Sequence, residues 1–298
     1  MIYPDGTYPS TCWECSTRCG SLVTVKDGRV AKVGPNPDHP GSNGAFCVKG
    51  IRALPELTYG EDRIRRPMRR TGARGGGGWQ EISWDEALDE MTDRLLAVRD
   101  EHGPLSLVGA VSSAFFSRGA MVALLMRALG SPNWMMNQDL CGGCRALSDK
   151  VTGLGIVGGE DVENASCALI VGRNPSAADP VQWMALKRAK EKGAKIVVID
   201  PAETPAAAIA DIWMRPRPGS DAALALSIIN VIVSENLYDR AFVDKWTRGF
   251  ERLKQRAAQF PPQLAAEMTG VPADDIVAAA RLYAAGPSCF VSGHGIDA

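Results

Sequence analysis

Cys12, Cys15, Cys19 and Cys47 form the pattern C-x2-C-x3-C-x27-C, and Val48-Lys49-Gly50 follows the last of them. Three thiols on one short loop plus a distant fourth suit a cubane 4Fe-4S cluster, which takes one thiolate per iron. Structural zinc also takes four cysteines, but usually as two C-x2-C pairs, and here Cys47 stands alone. A disulfide framework belongs to small secreted domains, whereas this chain has 298 residues and eight cysteines. The chemistry that this set suits is electron handling. A second motif, Cys141-Gly142-Gly143-Cys144, has the spacing of a redox dithiol or of half a zinc knuckle. Its glycines start a helix poorly, which argues against a thioredoxin-like role. Cys144 is expected to pack, or to sit behind a neighbouring ligand, and Cys167 and Cys289 fall in apolar strands and are expected in the core.

The elements around these residues are legible in outline. Leu22-Val23-Thr24-Val25 and Val30-Ala31-Lys32-Val33 flank Asp27-Gly28, a strong hairpin signal, and a hairpin there would bring Cys47 back to the first three cysteines. Pro35, Pro37, Pro40 and Gly41-Ser42-Asn43-Gly44 read as a surface loop. Residues 60–82 are basic and then glycine-rich, which predicts a linker. Ser83 and Glu86 form a capping box ahead of a helix carrying Ala87, Leu88, Met91, Leu95, Leu96 and Val98.

Strand and helix then alternate. Leu105 to Val111 predicts a buried strand, Arg118 to Leu129 a helix ended by Gly130, and Ala168 to Val171 a strand. Pro180 to Lys192 predicts a helix ended by Gly193, and Lys195 to Ile199 the next strand. The fold class is α/β, with parallel strands covered by helices on both faces.

Ligands of such sheets bind at the carboxyl ends of the strands. Two ends carry suitable groups, Val171-Gly172-Arg173-Asn174-Pro175 and Ile199-Asp200-Pro201. Gly172 would let backbone approach a phosphate, Asn174 can donate an amide hydrogen, and Asp200 can accept from a ribose or a guanine edge. The alternative is ordinary turn chemistry. Pro218-Gly219-Ser220-Asp221 opens a further helix that Ser220 is expected to cap, leaving backbone N–H groups for an anion.

Composition excludes several classes. A net charge of −1 gives no global attraction to nucleic acid or to an anionic membrane. The most apolar stretch, Ala222 to Val233, is interrupted by Ser227 and Asn230 and falls short of the roughly 20 residues of a membrane helix. Met1 to Thr11 lacks the pattern of a secretory signal, so the chain as given is expected in the cytoplasm, or in the periplasm if a signal has been removed.

Taken in order, these motifs resemble the N-terminal part of the molybdenum and tungsten bis-pterin oxidoreductases, the dimethyl sulfoxide reductase superfamily. The resemblance rests on the four cysteines with Val48-Lys49-Gly50, on Arg66-Pro67-Met68, and on Ile82 to Leu88. It continues through Gly172-x-Asn174-Pro175, Ile199-Asp200-Pro201 and Pro218 to Leu224. One departure is Ala202, where the family often has arginine, so an arginine contact there is not expected.

The resemblance implies a 4Fe-4S cluster on Cys12, Cys15, Cys19 and Cys47, and a bis(molybdopterin guanine dinucleotide) carrying molybdenum or tungsten. By its position Lys49 would lie between cluster and pterin and act in catalysis. Gly172, Asn174, Pro175, Asp200, Pro201, Gly219 and Asp221 would bind the guanine dinucleotide, and Cys141 would ligate the metal. Gln138, Asp139 and Arg145 flank that cysteine and would face substrate, or else serve the helix start and the surface. Three parts are expected: an iron-sulfur domain at 1–62, the first segment of a split α/β domain at 63–136, and a Rossmann-like domain at 137–298, incomplete at its C-terminus.

The implied function is electron transfer between a small-molecule substrate and the cluster, such as reduction of an inorganic oxyanion or sulfur compound, with an electron-transfer partner protein. The family's catalytic subunits need a further C-terminal half, so a fragment or a split-gene product is expected. One alternative is a non-redox hydratase of the acetylene hydratase type, but that type has an acidic Asp after the second cluster cysteine where this chain has Ser16. A formate dehydrogenase commonly has His after the metal-ligating residue, where this chain has Gly142. A molybdenum-free electron-transfer subunit is a third reading, disfavoured by Cys141 and the nucleotide motifs.

Overall fold

A computed structural model describes residues 3–15, 17–111, 116–136, 143–153 and 160–296, without the side chains of 116–118. The chain divides into two compact units: Met1–Gly34 with Cys47–Gly143, and Pro35–Phe46 with Cys144–Ala298.

The first unit opens with strands β1 (Gly6–Thr11), β2 (Gly20–Lys26) and β3 (Arg29–Pro35), a sheet of order β1-β2-β3. Asp27 and Gly28 both take positive φ, 50° and 70°, as a two-residue turn matched to the twist of its strands requires. The Asp27 amide donates to Asp5 Oδ1 at 2.8 Å, which helps to hold an aspartate in a conformation it seldom adopts. A short π-helix (Lys49–Ala53) runs into α1 (Leu54–Tyr59).

The expected linker at 60–82 is in part ordered. Strands β4 (Met68–Arg70) and β5 (Trp79–Glu81) pair antiparallel, and the glycine run lies in their connection. Arg69 ties this hairpin to the next helix by an ion pair with Glu90 at 2.7 Å. That helix, α2 (Trp84–His102), carries the complete capping box: the Ser83 hydroxyl accepts from the Glu86 amide, and the Glu86 carboxylate accepts from the Ser83 amide. The Ser83 amide and the Ser83 hydroxyl both donate to the Glu86 carboxylate, at 2.8 and 2.9 Å, and hold it below the usual carboxylate range. The apolar residues of α2 nonetheless stay largely in solvent, with Leu88 54% and Met91 59% exposed.

The strand expected over Leu105 to Val111 is shorter. Pro104–Ser106 forms a turn of 3₁₀ helix, and only β6 (Gly109–Val111) is extended; it pairs parallel with β7 (Trp134–Met136), on either side of α3 (Phe116–Ala128). Side chains explain the difference. The Asn133 amide donates to the Leu105 carbonyl and the Ser131 hydroxyl to the Leu107 carbonyl, both at 2.8 Å, so these acceptors are satisfied without a strand partner.

The second unit begins with α4 (Gly143–Thr152) and is built on a parallel sheet of order β10-β9-β8-β11. Its strands are β8 (Cys167–Val171), β9 (Lys195–Ile199), β10 (Ile212–Met214) and β11 (Ser288–Ser292). Val171 pairs with Ile199 on one side and with Ser292 on the other. Alternation sends Cys167, Leu169 and Val171 into one core and Ala168 and Ile170 into the other, as two covered faces require.

On the first face lie α8 (Asp221–Ser234), α11 (Pro262–Thr269) and α12 (Ala273–Ala284), and α9 (Arg240–Trp246) and α10 (Phe250–Ala257) lie between α8 and α11 in sequence. The other core takes in α6 (Pro180–Glu191) and α7 (Pro205–Ala208), and the one-turn α5 (Pro175–Ala178) precedes α6. Ile170, Leu186, Ile196 and Leu224 are at most 1% exposed, and full burial of each such side chain contributes roughly 1.5–3 kcal/mol. The apolar stretch Ala222 to Val233 is the body of α8, and no described helix is long and apolar enough to cross a membrane.

Candidate functional site

The hairpin of the first unit positions the four cysteines. Cys12 follows β1 directly and Cys19 precedes β2 directly, and the Cys12 amide donates to the Cys19 carbonyl at 2.9 Å, so the ladder extends one step into the loop. Cys12 and Cys19 are therefore buried, while Cys15 is exposed between them. Cys47 lies just before the π-helix and accepts at its carbonyl from the Ile51 amide at 3.2 Å. Tyr59 ties the following helix to the hairpin: its hydroxyl accepts from the Val30 amide at 2.8 Å, and the Arg29 guanidinium lies 4.3 Å from the ring centre.

None of the seven described cysteines is in a disulfide. Burial raises the Cys12 thiol, a hydrogen bond from the Glu14 amide opposes the rise, and Cys15 and Cys47 add to it through their charges. Those three sulfurs are thus within electrostatic reach of one another. Among the described residues no three His, Cys, Asp or Glu side chains converge on a single ion. A cubane separates its ligands to four corners, so cysteines outside any disulfide, grouped around a loop with an amide aimed at one sulfur, fit such a cluster. Lys49 is exposed in the π-helix two residues beyond Cys47.

In the second unit the order β10-β9-β8-β11 reverses direction at β8, so the switch point of the sheet lies between β8 and β11. Gly172 lies at this switch point. Its φ is +56°, and a Cβ would come within 3.0 Å of the Gly295 backbone, so the chain leaving β11 also approaches it closely. A Cβ on Gly293 would lie 2.2 Å from the Gly172 carbonyl oxygen, so both loops need glycine to cross. His294 is exposed in the 3₁₀ turn at this crossing.

Asn174 and Pro175 begin α5, and Asn174 Oδ1 accepts from the Ser176 hydroxyl at 2.7 Å, which leaves its amide hydrogens for another acceptor. Asp200 is half-buried one strand away; Oδ1 accepts from the Ala202 amide at 2.8 Å, and the Trp213 indole donates to the Asp200 carbonyl at 2.9 Å. Pro201 is exposed beside it.

Ser220 does not cap α8 as expected. Its hydroxyl donates to the Arg217 carbonyl at 2.6 Å, closing a tight turn in which Gly219 takes φ +82°. Asp221, Val171 and Ile199 line one cavity of about 410 Å³ with Leu224 and Ile228, so the ends of β8 and β9 and the start of α8 face common space.

Cys141, Gly142, Gln138 and Asp139 lie outside the described residues, as does Ser16. Cys144 is exposed rather than packed, and α4 begins at Gly143 despite the low helix propensity of glycine. Arg145 pairs loosely with Asp149 at 4.0 Å and Glu160 at 3.8 Å. Burial pushes the Cys167 thiol up to about 11, with a smaller contribution from Asp211. Cys289 also rises to about 11, from burial first and then from Glu160 and Asp161. Both are packed residues.

A polar group around Arg173 was not foreseen. Arg173 Nε donates to Gln182 Oε1 at 2.6 Å, and Gln182 Nε2 donates to Glu160 Oε2 at 3.0 Å. No motif spacing announces partners 9 and 22 residues apart.

A cysteine-loop region followed by a parallel α/β sheet with its switch point between β8 and β11 is the architecture of an iron-sulfur protein with a doubly wound part. The molybdopterin oxidoreductase Fe4S4 domain matches residues 5–59, and the molybdopterin oxidoreductase family matches residues 63–296. The chain belongs to the molybdopterin oxidoreductases, and with them to proteins that carry a 4Fe-4S cluster and a molybdopterin holding molybdenum or tungsten. It is 37% identical to acetylene hydratase of Syntrophotalea acetylenica over 92% of this chain and 38% of that protein. It is 36% identical to the thiosulfate reductase molybdopterin-containing subunit PhsA of Salmonella typhimurium, over 96% of this chain and 38% of that one. The solved structure of acetylene hydratase from Pelobacter acetylenicus matches with a TM-score of 0.84 and 34% identity, over 97% of this chain and 40% of that one. The chain thus spans about two fifths of the length of these relatives.

Proposed function

We propose that the protein contributes the cluster and one nucleotide-binding lobe of a molybdenum or tungsten oxidoreductase. In this reading electrons pass between a small-molecule substrate and a partner protein through the cluster. The observation that carries the reading is a loop between β1 and β2 that holds Cys12, Cys15 and Cys19, with Cys47 within electrostatic reach of Cys12, in a chain whose parallel sheet offers Asn174 and Asp200 at adjacent strand ends. Residues 1–62, 63–136 and 137–298 are the three parts of this arrangement.

Cys12, Cys15, Cys19 and Cys47 would each hold one iron. When bound, the cluster supplies one-electron storage and the pterin metal supplies the atom at which substrate reacts. Lys49 would bring a positive charge next to the cluster thiolates. The Asn174 amide and the Asp200 carboxylate would take the guanine dinucleotide, with Pro175 and Pro201 fixing the backbone beyond each of them. Gly219, in the turn before α8, and Asp221, its first residue, would present backbone N–H groups to it. Cys141 would be the protein's ligand to the metal, a soft thiolate for a sulfur-rich site.

An inorganic oxyanion or a sulfur compound is the proposed substrate class, with thiosulfate supported by the similarity to a thiosulfate reductase subunit. A second reading, non-redox hydration, is supported by the likeness to acetylene hydratase in sequence and in structure. The two separate in one experiment on the full-length protein. Reduced-dye oxidation with thiosulfate, polysulfide, nitrate or arsenate supports the first; aldehyde formed from acetylene without any dye-linked oxidation supports the second. Cys141→Ala is expected to abolish turnover while the cluster signal persists, and Cys144→Ala to be mild. The reverse pattern would overturn the assignment of Cys141.

A further inference from the structure

Arg173 stands between Gly172 and Asn174, and its guanidinium reaches three acceptors on two other segments, the start of α6 and the end of β11. Nε donates to Gln182 Oε1 at 2.6 Å, Nη2 pairs with Asp179 Oδ2 at 3.3 Å, and Nη1 donates to the Ser292 carbonyl at 3.3 Å. Asp179 is the N-cap of α6, accepting from the Gln182 amide at 3.1 Å, and Ser292 is the last residue of β11. Gln182 is only 8% exposed, and its own amide is anchored on Glu160 at 3.0 Å. Beneath this fork the two loops are joined by backbone hydrogen bonds, Gly293 amide to Val171 carbonyl at 2.9 Å and Gly295 amide to Gly172 carbonyl at 3.2 Å, and a Cβ on Gly293 would lie 2.7 Å from Arg173 Cβ. The contacts therefore span both sides of the switch point and the start of α6.

We infer that Arg173 is the positioning residue of the nucleotide site, holding the ends of β8 and β11 in register so that Asn174 presents its amide to the guanine dinucleotide. This rests on the assignment of Asn174 and Asp200 proposed above. The fork geometry is what the role needs. A lysine carries one nitrogen on a flexible stem and cannot serve three acceptors arranged around a plane. Gln182 is the matching half, since its oxygen accepts from Arg173 while its nitrogen donates to Glu160. A carboxylate at 182 would keep the first bond and face Glu160 with a like charge. Exchanging the two side chains, Glu160→Gln with Gln182→Glu, restores a donor at 160 and an acceptor at 182 at nearly unchanged volume. The lost Arg145–Glu160 pair is 3.8 Å long and partly exposed, so it contributes little.

The test uses the full-length protein and measures guanine nucleotide released by acid hydrolysis per polypeptide, with thermal unfolding and the cluster signal recorded alongside. Arg173→Lys is expected to lower nucleotide content at least tenfold with the cluster signal retained. Gln182→Glu alone is expected to lower it severalfold, and the Glu160→Gln/Gln182→Glu exchange to restore it to within about twofold. A role confined to general stability would lower nucleotide content only together with the unfolding temperature, whereas a positioning role lowers nucleotide content at a nearly unchanged unfolding temperature. Wild-type nucleotide content in Arg173→Lys, or equal losses in the single and exchanged variants, would overturn the inference while leaving the site assignment standing. A wild-type protein that releases no guanine nucleotide would overturn the assignment itself. If Arg173→Lys does not fold, the near-isosteric single and exchanged variants decide the question.

Discussion

The two units stabilise themselves in different ways. Among the described residues the first buries few apolar side chains, namely Cys12, Cys19, Val33, Leu107 and Met126. Its elements are joined by polar clips: Asp27 to Asp5, Val30 to Tyr59, Arg69 to Glu90, Asn133 to Leu105. The second unit surrounds its parallel sheet with two apolar cores, in which Ala168, Ile196, Val197 and Val198 are fully enclosed. A cysteine loop that must admit a cluster cannot also be filled by leucine and isoleucine, so the stability of that region is expected to come in part from the cluster. The sheet needs no such help.

The largest effect should come from removing the cluster. Cys47→Ala, or anaerobic iron chelation of the wild type, is expected to lower iron from about four per chain to near zero. In hydrogen exchange, amides of residues 6–34 and 47–59 should lose protection while β8 and β9 keep theirs. Loss of protection in both units together would show that the contrast between them is false. Zinc in place of iron in the purified protein would remove the cluster reading itself.

Next in size is a cavity in the sheet. Ile170→Ala deletes a side chain 1% exposed on a strand flanked by two others, and is expected to destabilise the second unit by about 2–5 kcal/mol. Leu88→Ala on α2, at 54% exposure, should change stability by no more than about 0.5 kcal/mol. Denaturant unfolding of both variants measures this contrast directly, and a large loss at Leu88 would mean that α2 has a partner in solution.

Tyr59→Phe is smaller. It removes the acceptor of the Val30 amide while keeping the ring under Arg29, and should cost about 1 kcal/mol in the first unit only. Differential protection of the Val30 amide reads it. A change confined to the second unit would contradict the placement of Tyr59.

The smallest expected effect is one of pH. Hydrogen bonds from Arg188 and Lys192 hold the Glu163 carboxyl down at about 2. A depressed carboxylate contributes stability that is present above its unfolded pKa of roughly 4.3 and is lost as pH falls towards 2. Its exposure to solvent keeps the contribution small. Wild type should therefore lose slightly more stability than Glu163→Gln between about pH 4.5 and 2. Parallel pH profiles for the two proteins would mean that the pair contributes nothing.

Much of the molecule was legible from residue order alone, because it depends on neighbours in the chain. The Asp27-Gly28 turn, the Ser83–Glu86 capping box, strands 167–171 and 195–199 and the helices ended by Gly130 and Gly193 all follow from local geometry. The cysteine spacing likewise carried the iron-sulfur reading, since three ligands share one loop. Other features depended on contacts between distant segments. Whether Leu105 extends a strand was decided by Asn133, 28 residues away. Gly172 serves a crossing with Gly295, and Ser220 turns back on Arg217 instead of capping α8. Arg173 gathers Gln182, Asp179 and Ser292, the last 119 residues downstream. Propensity and spacing act over a few residues, so they determined the elements and the ligand types. Which polar groups meet at the strand ends was set only when the sheet brought β8, β9 and β11 side by side, because a side-chain hydrogen bond is chosen by what lies within about 3 Å after folding.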